Sequence, residues 1–398
     1  MDSFANSNGR STPPLSTQGS RWSPLDRSAR VCVLTSAHAP FDMRIFQKEA
    51  ITLAQSGYEV HLVAPSNEHG MVHGVQFHGV TRENGRRGRM TRTARDVYRL
   101  ARSLRADVYH FHDPELIPFG VLLKLGGRGR VIYDAHEDLP KDIQDKPWIK
   151  PWLRRPVALM AGGFERLAAK FLDRVVAATP SIARRFPDRK TSVVQNFPHK
   201  DSLWSREAIT YAERPPMIAY VGGIAGIRGA KEMVAAMALL PAELGATLGV
   251  AGEWESPEFV KEVAALPGWP RIEQLGTLSR EEVRKLLAKS RIGILLYHPL
   301  ANHLEAQPTK LFEYMSAAIP VLASNFPLWR EIVEQLGCGL TVNPLDPKAV
   351  AEAIQWLLEH PIDAEEMGRR GREAVLKHYN WEKEADVLRT TYRELLRD

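Results

Sequence analysis

Two glutamates, Glu305 and Glu313, lie eight residues apart in the segment EAQPTKLFE. Pro308 predicts that a helix starts there and that Glu313 falls in its first turns. A carboxylate offers two acceptor oxygens, which suits the paired hydroxyls of a ribose, and Lys310 is available as a phosphate ligand. Acidic residues at a helix start also complement the helix dipole. The pair therefore indicates a sugar or nucleotide site but leaves the structural alternative open.

A glycine-rich segment, GGIAGIRG at residues 222–229, lies between an apolar run at 217–221 and a helical pattern at 233–240. A glycine turn that leads into a helix presents backbone N–H groups to a phosphate, and Arg228 adds a permanent cation. The helix terminus is worth about 0.3–1 kcal/mol, whereas one charge pair reaches about 4 kcal/mol at an effective dielectric near 20. We therefore expect Arg228 to matter more than the loop, although glycines also serve tight packing.

Titratable side chains follow two predicted strands of the first half. They are His110, His112 and Asp113 in YHFHDPE, and Asp134, His136, Glu137 and Asp138 in YDAHEDLP. Ligands of open α/β sheets bind beyond the carboxyl ends of the strands, which is where both groups fall. Histidine and aspartate are also metal ligands, but their spacing specifies no metal site. We predict none.

Short β-branched runs, such as those at 108–111 and 247–251, alternate with helical patterns along the chain, which predicts parallel sheets. The rhythm restarts at 217–221 after a polar, proline-containing segment, 201–216. The predicted fold is therefore α/β, with two doubly wound, Rossmann-like domains in tandem. The predicted divisions are a disordered leader at 1–27, an N-terminal domain at 28–205, a C-terminal domain at 206–378, and a terminal segment at 379–398 that packs back on the first domain.

The composition limits the class of protein. Of 398 residues, 44% are apolar and 25% are charged, which is typical of a globular chain. Two cysteines give no disulfide framework, and no uninterrupted apolar run reaches the roughly 18 residues of a membrane span. We therefore expect a cytoplasmic protein, with contact at the inner face of the membrane as an open extension.

Arginines are concentrated between residues 82 and 105, at Arg82, Arg86, Arg87, Arg89, Arg92, Arg95, Arg99, Arg102 and Arg105. The structural interpretation is a solvated helix face. The functional interpretations are contact with an anionic membrane or a phosphorylated acceptor. Nucleic acid is not favoured, since no aromatic residues are interleaved and no nucleic-acid motif is present.

Several ordered segments resemble glycosyltransferase family 4, retaining enzymes of the GT-B fold with two domains facing a cleft. The most specific is EAQPTKLFEYMSAAIPVLAS, which is similar to the family's E-x7-E signature. Further matches are DVYHFHDPE, AATPSIARRF, VVQNFP, the glycine loop, QLGTLSREEVRKLLAKS and YNWEKEADVLRTTYREL.

The resemblance implies roles for the residues that match. Glu313 would hold the ribose, Glu305 the transferred hexose, and Ala306, Gln307, Pro308 and Thr309 would supply backbone amides. Gly222, Gly223, Arg228 and Lys310 would bind the diphosphate, and His136 would lie against the donor sugar. His136, Arg228 and Glu305 are the candidate catalytic residues, and the candidate acceptor-side residues are His112, Asp113, Asp42 and Arg44. Two departures are notable: HAPFDMR places Asp42 and Arg44 where the family commonly has a Gly-Gly loop, and Gly223 replaces a common arginine.

On this resemblance the chain would move a hexose from a UDP- or GDP-sugar to a hydroxyl of a carbohydrate or lipid-linked acceptor, with retention and without metal or cofactor. The product would belong to exopolysaccharide, lipopolysaccharide or other glycoconjugate synthesis. The alternatives are a nucleotide-sugar epimerase of the same fold and a non-catalytic nucleotide-sugar-binding subunit. A nicotinamide dehydrogenase is weaker, because the glycine loop lacks the GxGxxG order.

Overall fold

The computed structural model describes residues 28–83, 85–127, 129–146, 148–205 and 209–397. The predicted leader at 1–27 lies outside the described residues. Two mainly parallel sheets, each covered by helices, form the two halves of the chain. The predicted α/β fold with two doubly wound domains is therefore confirmed. The predicted boundary between residues 205 and 206 adjoins the undescribed segment 206–208 and stays a prediction.

The N-terminal sheet has eight strands in the order β3-β4-β2-β1-β5-β6-β7-β8, and within it β3 is antiparallel to β4. The strands are β1 Arg30–Leu34, β2 Glu59–Pro65, β3 His69–Val72, β4 Val75–Val80, β5 Val108–Phe111, β6 Arg130–Ala135, β7 Arg174–Ala177 and β8 Thr191–Val193. The α-helices are α1 Ile51–Gln55, α2 Gly85–Gly88, α3 Ala94–Leu104, α4 Ile117–Leu125, α5 Leu139–Asp145, α6 Pro151–Phe171 and α7 Pro180–Ala183. π-Helical turns at Ile45–Ala50 and Arg89–Thr93 lead into α1 and α3.

The C-terminal sheet has six parallel strands in the order β11-β10-β9-β12-β13-β14. They are β9 Met217–Val221, β10 Thr247–Ala251, β11 Ile272–Gly276, β12 Ile292–Leu295, β13 Val321–Ser324 and β14 Gly339–Val342. The helices are α8 Ala230–Leu239, α9 Pro257–Ala264, α10 Arg280–Lys289, α11 Thr309–Ser316, α12 Pro327–Gln335, α13 Pro347–Glu359, α14 Pro361–Lys377 and α15 Trp381–Arg397. In the described part of the chain, no helix combines the length and the apolar character needed to cross a membrane.

The order of the strands decides where a ligand can bind. The chain builds each sheet outwards from its middle, so the order reverses between β1 and β5 and again between β9 and β12. The loops at such a switch point part to opposite faces and leave a crevice beyond the carboxyl ends of the strands. The segments predicted to do chemistry follow β5, β6, β9 and β12.

Helix α15 ties the end of the chain to the N-terminal sheet. Its side chains Trp381, Leu388 and Tyr392 lie in the same apolar cluster as Val31 of β1. The indole Nε1 of Trp381 donates to Thr52 Oγ1 at 3.0 Å, so its polar atom is satisfied on burial. Helix α15 therefore packs on the N-terminal half, although it follows the C-terminal sheet along the chain.

Candidate active site

A cleft of about 340 Å³ lies between the two halves of the chain. The N-terminal half contributes loops that follow β1 and β6, and the C-terminal half contributes the loop before α11. The lining includes His38, Asp42, Arg44, His136, Glu137, Asp138, Lys141, Asn196, Asn302, Glu305, Ala306, Gln307, Pro308 and Thr309. The structure thus brings Asp42, Arg44 and His136 together with Glu305 and residues 306–309. The other predicted site residues are not part of this lining: Gly222, Gly223, Arg228, Lys310, Glu313, His112 and Asp113.

Two cations lie on the glycine loop after β9. A β-carbon added to Gly222 would fall 2.1 Å from Cε of Lys310, and one added to Gly223 would fall 2.6 Å from Nη1 of Arg228. That guanidinium donates to Gly223 O at 3.1 Å and stacks over the Tyr297 ring at 5.8 Å. A side chain at either position would therefore meet one of these two cations and move it.

This arrangement explains the departure from the family pattern at Gly223. An arginine there would occupy the space that the Arg228 side chain now fills, whereas Lys310 brings a second positive charge to the neighbouring Gly222. Lys310 directly follows Thr309, which lines the cleft, and both cations lie against the glycine loop. Their positions suit the two negatively charged groups of a diphosphate.

Glu313 lies in the first turns of α11, as Pro308 predicted, since Pro308 is the capping residue of that helix. Its carboxylate is mostly buried and accepts from Nη1 of Arg280 at 2.5 Å. Nη2 of Arg280 in turn donates to Ser202 Oγ at 3.1 Å. Glu313 is therefore held in a fixed orientation by a residue of α10 rather than being free at a helix start.

Lys48 is a buried ammonium that the sequence analysis missed. Its Nζ donates to the carbonyl oxygen of Asn196 at 3.1 Å and to Asn196 Oδ1 at 2.5 Å. Burial lowers the pKa of Lys48 to about 7, although the charge of Glu313 acts to raise it. Lys48 thus lies at the junction of the two halves and links the N-terminal half electrostatically to the Glu313 carboxylate.

Glu305 bridges the cleft. Its carboxylate pairs with Nζ of Lys141, which α5 carries on the opposite side, and this hydrogen bond lowers the pKa of Glu305. The Glu305 side chain is 49% exposed, so it stays accessible to a ligand. Lys141 therefore pairs with the carboxylate to which the family resemblance assigns the hexose.

We expect Lys141→Met to leave thermal unfolding within about 2 °C of wild type, because exposed ion pairs contribute about 0–1 kcal/mol. If Lys141 competes with the sugar for Glu305, donor affinity should rise in the variant. If instead Lys141 itself contacts the donor, affinity should fall. Differential scanning fluorimetry and titration with UDP- and GDP-sugars measure both quantities, with Lys146→Met, at the residue that follows the same helix, as the control.

The loop from 306 to 309 offers fewer amides than the sequence predicted. Pro308 has no N–H, and the N–H of Ala306 donates to His303 O at 3.2 Å. The prediction is therefore wrong for these two residues. Gln307 and Thr309 also contact the N-terminal half, through Gln195 Nε2 at 2.5 Å and Asn196 O at 3.4 Å respectively.

His136 lies at the carboxyl end of β6, on the cleft wall. Its ring packs edge to face on His38 with the centroids 4.9 Å apart, and its Nδ1 is 3.7 Å from Asp134 Oδ1. His38, which the sequence analysis did not select, pairs with Asp113 Oδ1 at 3.0 Å. Burial acts to lower the pKa of His38, but Asp113 outweighs it and the pKa is raised. The cleft thus has a His38 that is paired with Asp113 and packs beside His136.

Three of the four residues predicted on the acceptor side are buried instead. Burial acts to raise the pKa of Asp113, but its bonds to His38, Ser36 N at 2.6 Å and Thr35 Oγ1 at 2.8 Å hold the pKa well below its usual range. His112 is 1% exposed and, like Asp113, does not line the cleft, so the direct acceptor contact predicted for both is at odds with the structure. These residues position the loop instead.

Arg44 is also buried and forms the centre of a charge cluster under the cleft. Its Nη2 donates to Asp134 Oδ2 at 2.8 Å, and its Nε pairs with Glu49 Oε1 at 3.0 Å. Burial acts to raise the pKa of Asp134, but Arg44 holds it well below its usual range, whereas burial and Asp134 raise the pKa of Glu49. Asp42 lies before the π-helical turn Ile45–Ala50, where its Oδ1 accepts from Arg44 N at 2.8 Å and from Ile45 N at 2.9 Å.

His110 and His112 complete this cluster, and with Glu49 and Asp134 they bring four possible metal-ligand atoms within 4.8 Å of one another. Arg44 already bridges both carboxylates, so the positive charge that a metal ion would supply is present. Burial also lowers the pKa of His112 well below its usual value, which keeps it neutral. The cluster is best described as a buried ion-pair network that supports His136.

Two parallel-sheet domains with a cleft between them, a cationic glycine loop after β9 and a buried glutamate at the start of α11 are features of the GT-B class of proteins. Comparison with known families agrees. The family described as Glycosyltransferase Family 4 matches residues 47–197, and the family described as Glycosyl transferases group 1 matches residues 204–374. The chain belongs to glycosyltransferase family 4.

The relatives are distant. Glycogen synthase of Mycobacterium tuberculosis is 24% identical over 45% of this chain and 42% of its own length. D-rhamnosyltransferase WbpZ of Pseudomonas aeruginosa is 27% identical over 66% of this chain and 67% of its own. The chain thus spans about half the length of the first curated relatives that it matches.

Solved structures share the fold over almost the whole chain. Sucrose-phosphate synthase from Thermosynechococcus elongatus superposes with a TM-score of 0.75 at 18% identity, covering 93% of this chain and 99% of that one. Anabaena HepE in complex with UDP and glucose superposes with a TM-score of 0.71 at 14% identity, covering 92% and 100%. At these identities the likeness concerns the fold.

Proposed function

We propose that this chain is a retaining glycosyltransferase that moves a hexose from a UDP- or GDP-sugar to a hydroxyl of a carbohydrate or lipid-linked acceptor. The observation that carries the proposal is the placement of Arg228 and Lys310 against the glycine loop, in the same half of the chain as Glu305 and Glu313. This combination provides for a diphosphate, a ribose and a sugar together. The complex of HepE with UDP and glucose supports the choice of ligand class.

In the proposed reaction, the bond between sugar C1 and the diphosphate oxygen breaks and its electron pair goes to the diphosphate. Arg228 and Lys310 stabilise the charge that develops there. The acceptor oxygen bonds to C1 on the same face, and its proton passes to the leaving phosphate oxygen. No carboxylate is assigned as a nucleophile, because Glu305 is engaged by Lys141 and Glu313 by Arg280. His136 would contact the sugar, and no metal or cofactor enters the scheme.

The test measures the binding of a panel of UDP- and GDP-sugars to the protein. Saturation-transfer NMR and thermal shift detect the binding. We expect one donor class to stabilise the wild type and Glu313→Ala to weaken its binding by about 10- to 150-fold, since a hydrogen bond to a charged group contributes about 1.5–3 kcal/mol. Glu258→Ala, on the exposed first turn of α9, is the control. Absence of binding by any donor to folded wild type would contradict the proposal.

Incubating the protein with the donor that binds, with and without an acceptor, and analysing the products separates the alternatives. Release of nucleoside diphosphate only when an acceptor is present supports a transferase. Conversion of the donor to an epimer without an acceptor would instead support the epimerase, and saturable binding without turnover would support a non-catalytic subunit. A cytoplasmic site of action in polysaccharide synthesis, with contact to anionic membrane through the arginines between 82 and 105, completes the proposal.

A further inference from the structure

Helix α6 exposes an unusual number of large apolar side chains. Leu159, Met160 and Trp152 are 77%, 75% and 71% exposed. Further exposed residues on the same helix are Val157, Phe164, Leu167 and Phe171. Positions 152, 156, 159, 160, 163, 164, 167 and 171 follow helical spacing, so they form one stripe along most of the helix. We call these eight positions the α6 stripe.

The opposite face of α6 carries small residues. Ala158, Gly162 and Ala168 are buried, and a β-carbon on Gly162 would fall 2.8 Å from Cγ of Pro140 on α5. The usual distribution of a surface helix, with large apolar residues inwards, is therefore inverted. Small residues let the helix pack closely on the domain, and large ones are left facing outwards. An exposed apolar patch of this extent marks an interaction surface.

Charge limits what can cover the stripe. Arg155, Arg166 and Lys170 are exposed beside it. The one acidic residue of α6, Glu165, is buried, where it accepts from Tyr133 at 2.7 Å and pairs with Arg185. The exposed surface of α6 therefore combines apolar side chains with cations and has no carboxylate.

The neighbouring helices continue this surface. α6 contacts α4, which exposes Leu122 and Leu125, and α4 contacts α3. α3 exposes Arg95, Arg99 and Arg102 at helical spacing. The helices α6, α4 and α3 thus lie side by side over the same apolar cluster, with the α6 stripe on the first and the exposed arginines on the third.

We propose that the α6 stripe binds the surface of an anionic lipid bilayer, with α6 lying in the interface and its cations at the phosphate level. Apolar residues with aromatic side chains, flanked by Lys and Arg, are the pattern that inserts to the boundary of headgroups and acyl chains. A second copy of the chain is disfavoured as the occupant. In a two-fold interface the stripe would meet itself and bring Arg155, Arg166 and Lys170 towards their own equivalents.

The position of the stripe gives it a use, on the condition that the proposed transferase function holds. α5 packs against α6 on one side and carries Lys141 into the cleft on the other. A membrane under α6 would therefore lie one helix away from the cleft wall of the N-terminal half. This placement favours a sugar chain on an anionic lipid carrier as the acceptor, because the reactive sugar hydroxyl could reach the cleft while the lipid stays in the bilayer.

The test uses the full chain and vesicle flotation, without nucleotide sugar. Vesicles contain either phosphatidylcholine alone or a 3:1 mixture, by moles, of phosphatidylcholine and phosphatidylglycerol. We expect binding to the anionic vesicles, and a loss of about 10-fold or more in the Leu159→Glu, Met160→Glu double variant, since each of these side chains gives up its apolar burial. The triple variant Arg155→Gln, Arg166→Gln, Lys170→Gln should lose roughly five-fold for each cation removed.

Ile362→Glu is the matched control, because Ile362 is 83% exposed on α14 of the other half. It should bind as wild type does, and thermal unfolding should show that every variant is folded. No binding of wild type to anionic vesicles, or equal binding of the double variant, would overturn the proposal. So would a dimer in light scattering that dissociates in the double variant. Vesicle binding without donor turnover would count against the transferase function alone.

Discussion

Replacing Arg228 with alanine lowers kcat/KM for sugar transfer by about 10²- to 10³-fold, the range found when one preorganised donor to a developing oxyanion is removed. The reason is its position. Arg228 is held against Gly223 and over Tyr297, so its charge is in place before the diphosphate leaves. The effect should fall mainly on kcat, because the charge on the diphosphate grows as the bond to C1 breaks. Initial rates at saturating donor concentration give kcat, and those at limiting donor concentration give kcat/KM.

Four further variants control this experiment. Arg228→Lys keeps the charge without the bidentate geometry and should lie between wild type and alanine. Lys310→Ala should also slow transfer, and the double variant should lose less than the product of the two effects, because both cations act on one diphosphate. Arg330→Ala, which removes an exposed arginine of the same half, should leave the rate unchanged. A rise in KM with kcat unchanged would show that Arg228 binds donor and transition state equally.

The alternation of apolar runs and helical patterns predicted most of the sheet. β5, β9 and β10 lie where the runs at 108–111, 217–221 and 247–251 placed them. The hairpin of β3 and β4 was missed, because HGMVHGVQFHGV alternates through histidine and glycine rather than through a clear apolar face. Helix α5 was missed because its seven residues, LPKDIQD, are too few to show a helical period. The β3–β4 hairpin forms because β4 pairs with β2 of the sheet. Helix α5 starts where Asp138 Oδ1 accepts from Lys141 N.

The site was predictable where chemistry depends on the order of residues along the chain. Pro308 fixed the start of α11, and the glycine loop lies directly after its strand. Partners from distant segments were not predictable: Arg280 for Glu313, Lys141 for Glu305, and Asp113 for His38. No local pattern encodes such pairs. Arg280 offered the strongest signal, because it follows Ser279 in a capping box that fixes the start of α10.

Arg44→Met should destabilise the N-terminal domain by about 3–5 kcal/mol, because it leaves two buried carboxylates without their cation. The loss should depend on pH. In the variant, burial and mutual repulsion raise the pKa values of Asp134 and Glu49 above their unfolded values. The folded state then binds more protons than the unfolded state, and stability falls as pH rises through the raised pKa values. Urea unfolding at pH 5 and pH 8, followed by circular dichroism, should therefore show the larger loss at pH 8.

The wild type has the opposite dependence at Asp134. Its pKa is held below the unfolded value, so its contribution is present above about pH 4 and is lost as pH falls. Adding Glu49→Gln to Arg44→Met removes one of the two uncompensated carboxylates and should restore part of the stability. Arg30→Met, which breaks a partly exposed pair with Glu59 on the same sheet, should cost less than about 1 kcal/mol. An Arg44→Met protein with wild-type stability at both pH values would mean that Asp134 and Glu49 do not depend on Arg44. The network would then have no part in holding the β6 end, and His136 with it, against the cleft.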